Sequence, residues 1–224
     1  MMLLAVMMTT VVFAQSGEGT LVMEITDASS DNPQVAPFAD GMKGSQTLVY
    51  FKDGQTLTKV NMMGGMIKVD VHNDKEKNMD LLMDAMGNKI WVSSTKLEQD
   101  KMKAGVDNPL EYMEITYDES DTKSIAGFDC YKMVVEFPDA EGYAIEGYVT
   151  EQIEVRPNII QNVDISELKG FPLEFDFTNP QMNITMSALS YGETVDQSVF
   201  EKNTAGYQKM TMEEFAELQR QFGM

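Results

Sequence analysis

The chain contains one histidine and one cysteine, and those two counts decide most of what its side chains can do chemically. A structural zinc site draws three or four ligands from Cys and His, so His72 and Cys130 rule one out, and a lone cysteine excludes an intramolecular disulfide. His72 precedes the polar pair Asn73-Asp74 at the end of a strand pattern and reads as a surface residue rather than a general base. Cys130 sits in Phe128-Asp129-Cys130-Tyr131, where alternation places it on one face of a strand; with no base nearby it reads as a buried, inert thiol. A serine triad would have to recruit His72 and a remote acid, and no Gly-x-Ser-x-Gly elbow is present. The 36 carboxylates leave paired-acid hydrolysis open by number but single out no pair. Asp118-Glu119-Ser120-Asp121 lacks the central Gly and distal Glu of a calcium loop and reads as a solvated hairpin tip. Gly64-Gly65 runs into the strand-like Met66-Ile67-Lys68-Val69, so no helix dipole stands behind it to hold phosphate. The expectation is a protein that is not an enzyme and carries no metal or cofactor.

Methionine is the unusual component, with twenty in the chain and sixteen of them beyond residue 14. Thioether side chains are flexible and polarizable, and they suit surfaces that accept varied apolar shapes, although they also serve as ordinary core filler. The residues expected to line an apolar ligand cavity are Met23, Tyr50, Met62, Met66, Met83, Trp91, Met113, Met133, Tyr143, Phe175 and Met186.

The elements that would position these residues are mostly strands. Residues 19–26 alternate apolar and polar, the period of a strand with one buried face. Residues 47–51 and 56–62 flank Asp53-Gly54, a strong hairpin signal. Strands follow at 66–71, 79–83 and 90–93, with a short solvated helix or loop at 96–104. Three more strands are expected at 111–117, 128–137 and 143–155, the first two separated by the acidic tetrad at 118–121. A helical turn around Ser166-Glu167-Leu168 precedes a final hairpin, 171–177 and 182–191, turning at Asn179-Pro180. Thr211 and Glu214 form a capping box ahead of Phe215, Leu218 and Phe222, the clearest helix. The pattern predicts a mainly β (α+β) fold, one domain over 15–224, in which about ten antiparallel strands pack a few helices against a single face.

With 17 basic and 36 acidic side chains the net charge is −19, a surface that repels nucleic acid and anionic headgroups over roughly 10 Å at moderate salt. Residues 1–14 are uncharged and apolar and end in Val12-Phe13-Ala14, which reads as a signal-peptide core with a small-residue cleavage site. The run is shorter than the roughly 20 residues that span a bilayer. No cysteine stands at the cleavage point, so the mature protein is expected to be exported, soluble and not lipidated.

Several segments together resemble an uncharacterised exported bacterial family similar to the outer-membrane lipoprotein carrier (LolA/LolB-like) superfamily. They are Tyr50-Phe51-Lys52-Asp53-Gly54, Leu81-Leu82-Met83-Asp84 ahead of Gly87-Asn88-Lys89-Ile90-Trp91, Ile125-Ala126-Gly127-Phe128-Asp129-Cys130-Tyr131-Lys132, Gly170-Phe171-Pro172-Leu173, and Val199-Phe200 with Gly206-Tyr207 before Met210-Thr211. Their order extends over most of the chain. The resemblance implies a half-barrel of roughly eleven antiparallel strands with helices on its concave face, holding acyl chains or another apolar ligand. It also implies a carrier-type role in the periplasm, with a lipid or lipoprotein acyl chain as partner. Carriers of that kind have an arginine near the cavity, and the arginines here, Arg156 and Arg220, lie outside the early strands. The alternative reading is a structural or protein-interaction module of the cell envelope without a small-molecule ligand, docking an envelope protein through a sheet edge or its acidic face.

Overall fold

In the computed structural model, residues 17–104, 108–155, 159, 163 and 165–222 are described; the expected signal segment 1–14 and Arg156 lie outside them. Among the described residues twelve strands join in one open sheet, accompanied by three α-helices. The strands are β1 (Glu18–Ser29), β2 (Gln46–Lys52), β3 (Gln55–Met62), β4 (Ile67–Asn73), β5 (Met79–Ala85), β6 (Asn88–Ser94), β7 (Glu114–Ile125), β8 (Phe128–Glu136), β9 (Ala144–Thr150), β10 (Phe171–Thr178), β11 (Asn183–Gly192) and β12 (Gln208–Met210). The helices are α1 (Ala36–Met42), α2 (Lys96–Ala104) and α3 (Met212–Phe222). Strand order is β12-β6-β5-β4-β3-β2-β1-β11-β10-β9-β8-β7, so the sheet does not close and β7 and β12 are its free edges. Neighbours pair antiparallel except for β12, which lies parallel to β6 with Lys209 opposite Trp91.

Turn chemistry explains the meander. Asp53-Gly54, Met86-Gly87 and Ala126-Gly127 each place two successive residues at positive φ, with values of 52° and 77°, 53° and 90°, and 50° and 89°. Two such residues twist the chain in the sense that joins adjacent antiparallel strands. The third of these turns overrides one expectation. The acidic tetrad Asp118 to Asp121 is not a hairpin tip but an irregularity inside β7, where the register slips between Asp118 and Thr122, and the chain reverses only at Ala126-Gly127. An edge strand tolerates this, since charge and a bulge on a free edge discourage pairing with another chain. Helix α1, which has no periodic signature, starts with a proline in its first turn and buries Ala39 and Met42.

Register assigns each side chain to one of two faces. Leu21, Met23, Val49 and Phe51 share the inner face with Met133, Val135, Ile145, Phe175 and Met186. In β1, β2 and β8 to β11 that face is sealed. Ala39 and Met42 of α1 join Phe137, Ala140, Ile153, Ile165 and Leu168 from the β8–β9 and β9–β10 connections in one continuous core with it. The outer face is polar and laced with ion pairs, including Lys52 with Glu18 at 2.8 Å, Lys123 with Glu174 at 2.6 Å and Lys132 with Glu146 at 2.7 Å.

Candidate functional site

Across β3 to β6 the inner face changes character. Val60, Val69, Val71, Leu81, Met83 and Ile90 stand on it in register, each half-buried, while Thr58, Val92 and Ser94 on the same face are buried. Alternation makes this wall apolar, because β3 to β6 place Lys59, Lys68, Asp70, Asp84 and Lys89 on the opposite side. The cover that α1 and the β9–β10 connection provide elsewhere does not extend to these residues among the buried core. At the β12 edge Met210 lies level with Val92, and Met210 and Leu218 line a shallow cavity of about 370 Å³ with Glu213, Glu214 and Glu217 of α3. The Ser94 hydroxyl, buried on the inner face level with Met79, has no hydrogen-bond partner among the described residues.

The outer face of the same strands is covered instead. Residues 193–207 run across it as a strap. The Val195 amide donates to Glu18 Oε1 at 2.8 Å, the Lys52 ammonium donates to the Val195 carbonyl at 2.9 Å, and the Lys202 ammonium bonds Asp80. Lys89 lies 5.5 Å from the Tyr207 ring centre. On this face Leu57 and Leu82 are buried, and so is His72, only 8% exposed, against the expectation of a surface residue. The strap is the reason, and a sequence distance of more than 120 residues hid it. His72 borders a polar cavity of about 90 Å³ with Asn73, Asn78, Asp80, Phe200 and Lys202. Burial pushes the imidazole pKa down, and the Asp70 carboxylate opposes that shift. At Asp80 burial pushes the carboxyl up, but hydrogen bonds from Lys202, Trp91 and Ser93 outweigh it and hold the group below its ordinary value.

The residues expected to line one cavity occupy five different environments. Met23, Met133, Phe175 and Met186 lie in the sealed part of the inner face and are solid core. Met62 and Met83 stand half-buried on the inner face of the uncovered strands. Tyr50 and Trp91 point to the outer face, where the Trp91 indole donates to Asp80 at 2.8 Å and Lys209 sits 4.7 Å from its ring. Met66 is exposed at a turn, while Met113 and Tyr143 are partly buried against the core, Tyr143 with its ring 6.2 Å from that of Phe177. The aliphatic wall itself was overlooked. Its signal was available in the alternation of Val69 and Val71 with Lys68 and Asp70, once the hairpins are set in register.

Cys130 is buried beside Phe128, and burial pushes its thiol up to about 12, so no thiolate nucleophile forms at neutral pH. Among the described residues no cluster of His, Cys, Asp and Glu suits a metal ion, and no helix is long and apolar enough to cross a membrane.

No family model matches the chain, and no curated protein matches it. Solved structures do. One is the MucA/MucB complex of Pseudomonas aeruginosa, at 9% identity and a TM-score of 0.44, covering 87% of this chain and 58% of the matched one. This chain therefore spans little more than half the length of that protein. Another is the lipoprotein LppX of Mycobacterium tuberculosis, at 9% identity and a TM-score of 0.38, covering 81% and 89%. A third is a domain named for outer-membrane lipoprotein sorting from Vibrio parahaemolyticus, at 9% identity and a TM-score of 0.37, covering 85% and 92%.

Proposed function

We propose that the protein is an exported, non-catalytic binding protein that shelters an acyl chain or comparable apolar ligand against the inner face of β3 to β6. The observation that carries this reading is the half-buried wall of Val60, Val69, Val71, Leu81, Met83 and Ile90. A sheet face this apolar gains about 25 cal/mol for each Å² withdrawn from water, so an extended chain laid along it would complete the burial of side chains that the described residues leave partly open. The orphaned Ser94 hydroxyl at the end of the wall offers a hydrogen bond to a polar end group. An acidic surface keeps a shuttle of this kind from adhering to anionic membranes.

Native mass spectrometry of gently purified protein, followed by titration with a fluorescent fatty acid, tests the reading. The expected result is copurified lipid or saturable probe binding that Leu81→Asp abolishes. A protein that arrives empty and ignores the probe removes the proposal. The second reading, an envelope interaction module without a small ligand, is favoured by the solid packing of Met23, Met133 and Phe175. In that case cross-linking recovers a protein where the first reading recovers lipid.

A further inference from the structure

Two turns at one end of the uncovered strands carry the same spacing, Met63-Gly64-Gly65-Met66 between β3 and β4 and Met83-Asp84-Ala85-Met86 into the β5–β6 turn. Backbone pairing sets them side by side. The Met86 amide donates to the Met66 carbonyl at 2.9 Å, extending the register in which Ile67 faces Ala85, and the Met66 amide donates to the Met63 carbonyl at 3.4 Å. Met66 thus neighbours Met86 at the roughly 5 Å spacing of paired backbones, and Met63 within its own turn.

Met66 and Met86 are turned mostly to solvent, while Met63 is half-buried with its methyl carbon against α1. Met86 is 74% exposed and Met66 50%. Met63 and Met86 hold φ at 54° and 53°, a region that costs a residue with a side chain about 1–3 kcal/mol. Glycine or asparagine would serve such a turn better. Met86 is both exposed and held in this region, and its side chain buries little against the fold.

We propose that Met66 and Met86, with Met63 as a third donor, form a site for a soft monovalent cation of the Cu(I) or Ag(I) class. Thioethers are neutral, soft donors, and they select such ions over magnesium or calcium, which take oxygen. Three rotatable bonds let side chains on adjacent strand ends close on one ion. The net charge of −19 gives the chain as a whole a potential that draws cations, and Asp84 stands at the turn, accepting from the Gly87 amide at 2.9 Å and paired with Lys89 at 3.9 Å. The same potential opposes the other use of an exposed apolar tip, insertion among anionic headgroups. Met63 rests against α1, its methyl carbon 3.4 Å from the place a Cβ would take on Gly41, so its thioether must leave that contact to join the site.

The test is a titration of the full chain with Ag(I), read by NMR of methyl-labelled methionine. The methyl signals of Met63, Met66 and Met86 are expected to shift while those of Met79 and Met133 stay in place. The double variant Met66→Leu, Met86→Leu keeps two exposed side chains of similar volume, so it folds, and it should weaken Ag(I) binding by about a hundredfold. Unchanged affinity in that variant overturns the proposal, as do shifts confined to other methionines or the absence of any shift at saturating Ag(I). Met79→Leu, at the opposite end of β5 from the tip, should bind Ag(I) like the parent.

Discussion

Truncating two methionines on the same sheet face separates its sealed part from its uncovered part. Met133 is fully buried, standing opposite Gly147 on β9 and Tyr117 on β7. Met133→Ala removes a side chain whose surroundings are fixed on every side, and losses of this kind cost about 2–5 kcal/mol. Met83 stands on the same face, between Val69 and Ile90, but is only half-buried. Part of its side chain is already in water, and solvent can fill the space left behind, so Met83→Ala should cost less than the buried case, about 1–2 kcal/mol. For a chain of this size 1 kcal/mol moves the melting temperature by about 2–4 °C. The variants should therefore differ by several degrees, and by their urea midpoints at constant slope. Trp91 fluorescence and far-UV circular dichroism should report the same transition for each. A Met83→Ala cost within about 0.5 kcal/mol of the Met133→Ala cost would mean that something covers the wall in solution, and the reading of the site would fail.

Three further outcomes follow from the geometry. Cys130 should resist thiol reagents at neutral pH until the chain unfolds, so its labelling rate in urea should track global opening; rapid labelling of the native protein would contradict its burial and raised pKa. His72 titrates below its ordinary value when folded, so the unfolded chain takes up its proton first as pH falls. Its contribution to stability is complete above about pH 6.5 and is lost as pH drops through the lower folded value, so His72→Gln should flatten the acid side of the stability profile, and an unchanged profile would show that the imidazole is solvated. Gly147→Ala should destabilise by about 1–3 kcal/mol or more, because a Cβ there would meet the Glu174 carbonyl oxygen at 2.2 Å and Phe175 Cα at 2.8 Å; a neutral result in thermal melts would contradict the β9–β10 packing.

Much of the sheet is readable from local pattern. Alternation and the Asp53-Gly54 turn give β1 to β3, the Thr211 and Glu214 box gives α3, and both hydrogen bonds of that box form, at 2.8 and 3.2 Å. Local pattern fails where distance decides. The acidic tetrad in β7 has turn composition, but an edge strand needs no apolar outer side, and the two positive φ angles at Ala126-Gly127 settle the reversal. The strap over β2 to β6 and the parallel β12 depend on pairings such as Lys202 with Asp80, which no window of sequence contains. The candidate site suffered from weighting residue type over register. Trp91 and Met83 are both large and apolar, yet they lie on neighbouring strands with opposite facing. Val69 and Ile90 went unremarked because aliphatic residues in strands are ordinary, and only the two-layer pattern of cover distinguishes them.

The most direct measurement is paramagnetic broadening of methyl resonances by a fatty acid carrying a nitroxide on its chain. The account predicts selective loss of the Val60, Val69, Val71, Leu81 and Ile90 signals, with Val149 and Leu173 in the sealed core unaffected. Broadening spread evenly over the surface, or centred on the sealed half of the sheet, would contradict it.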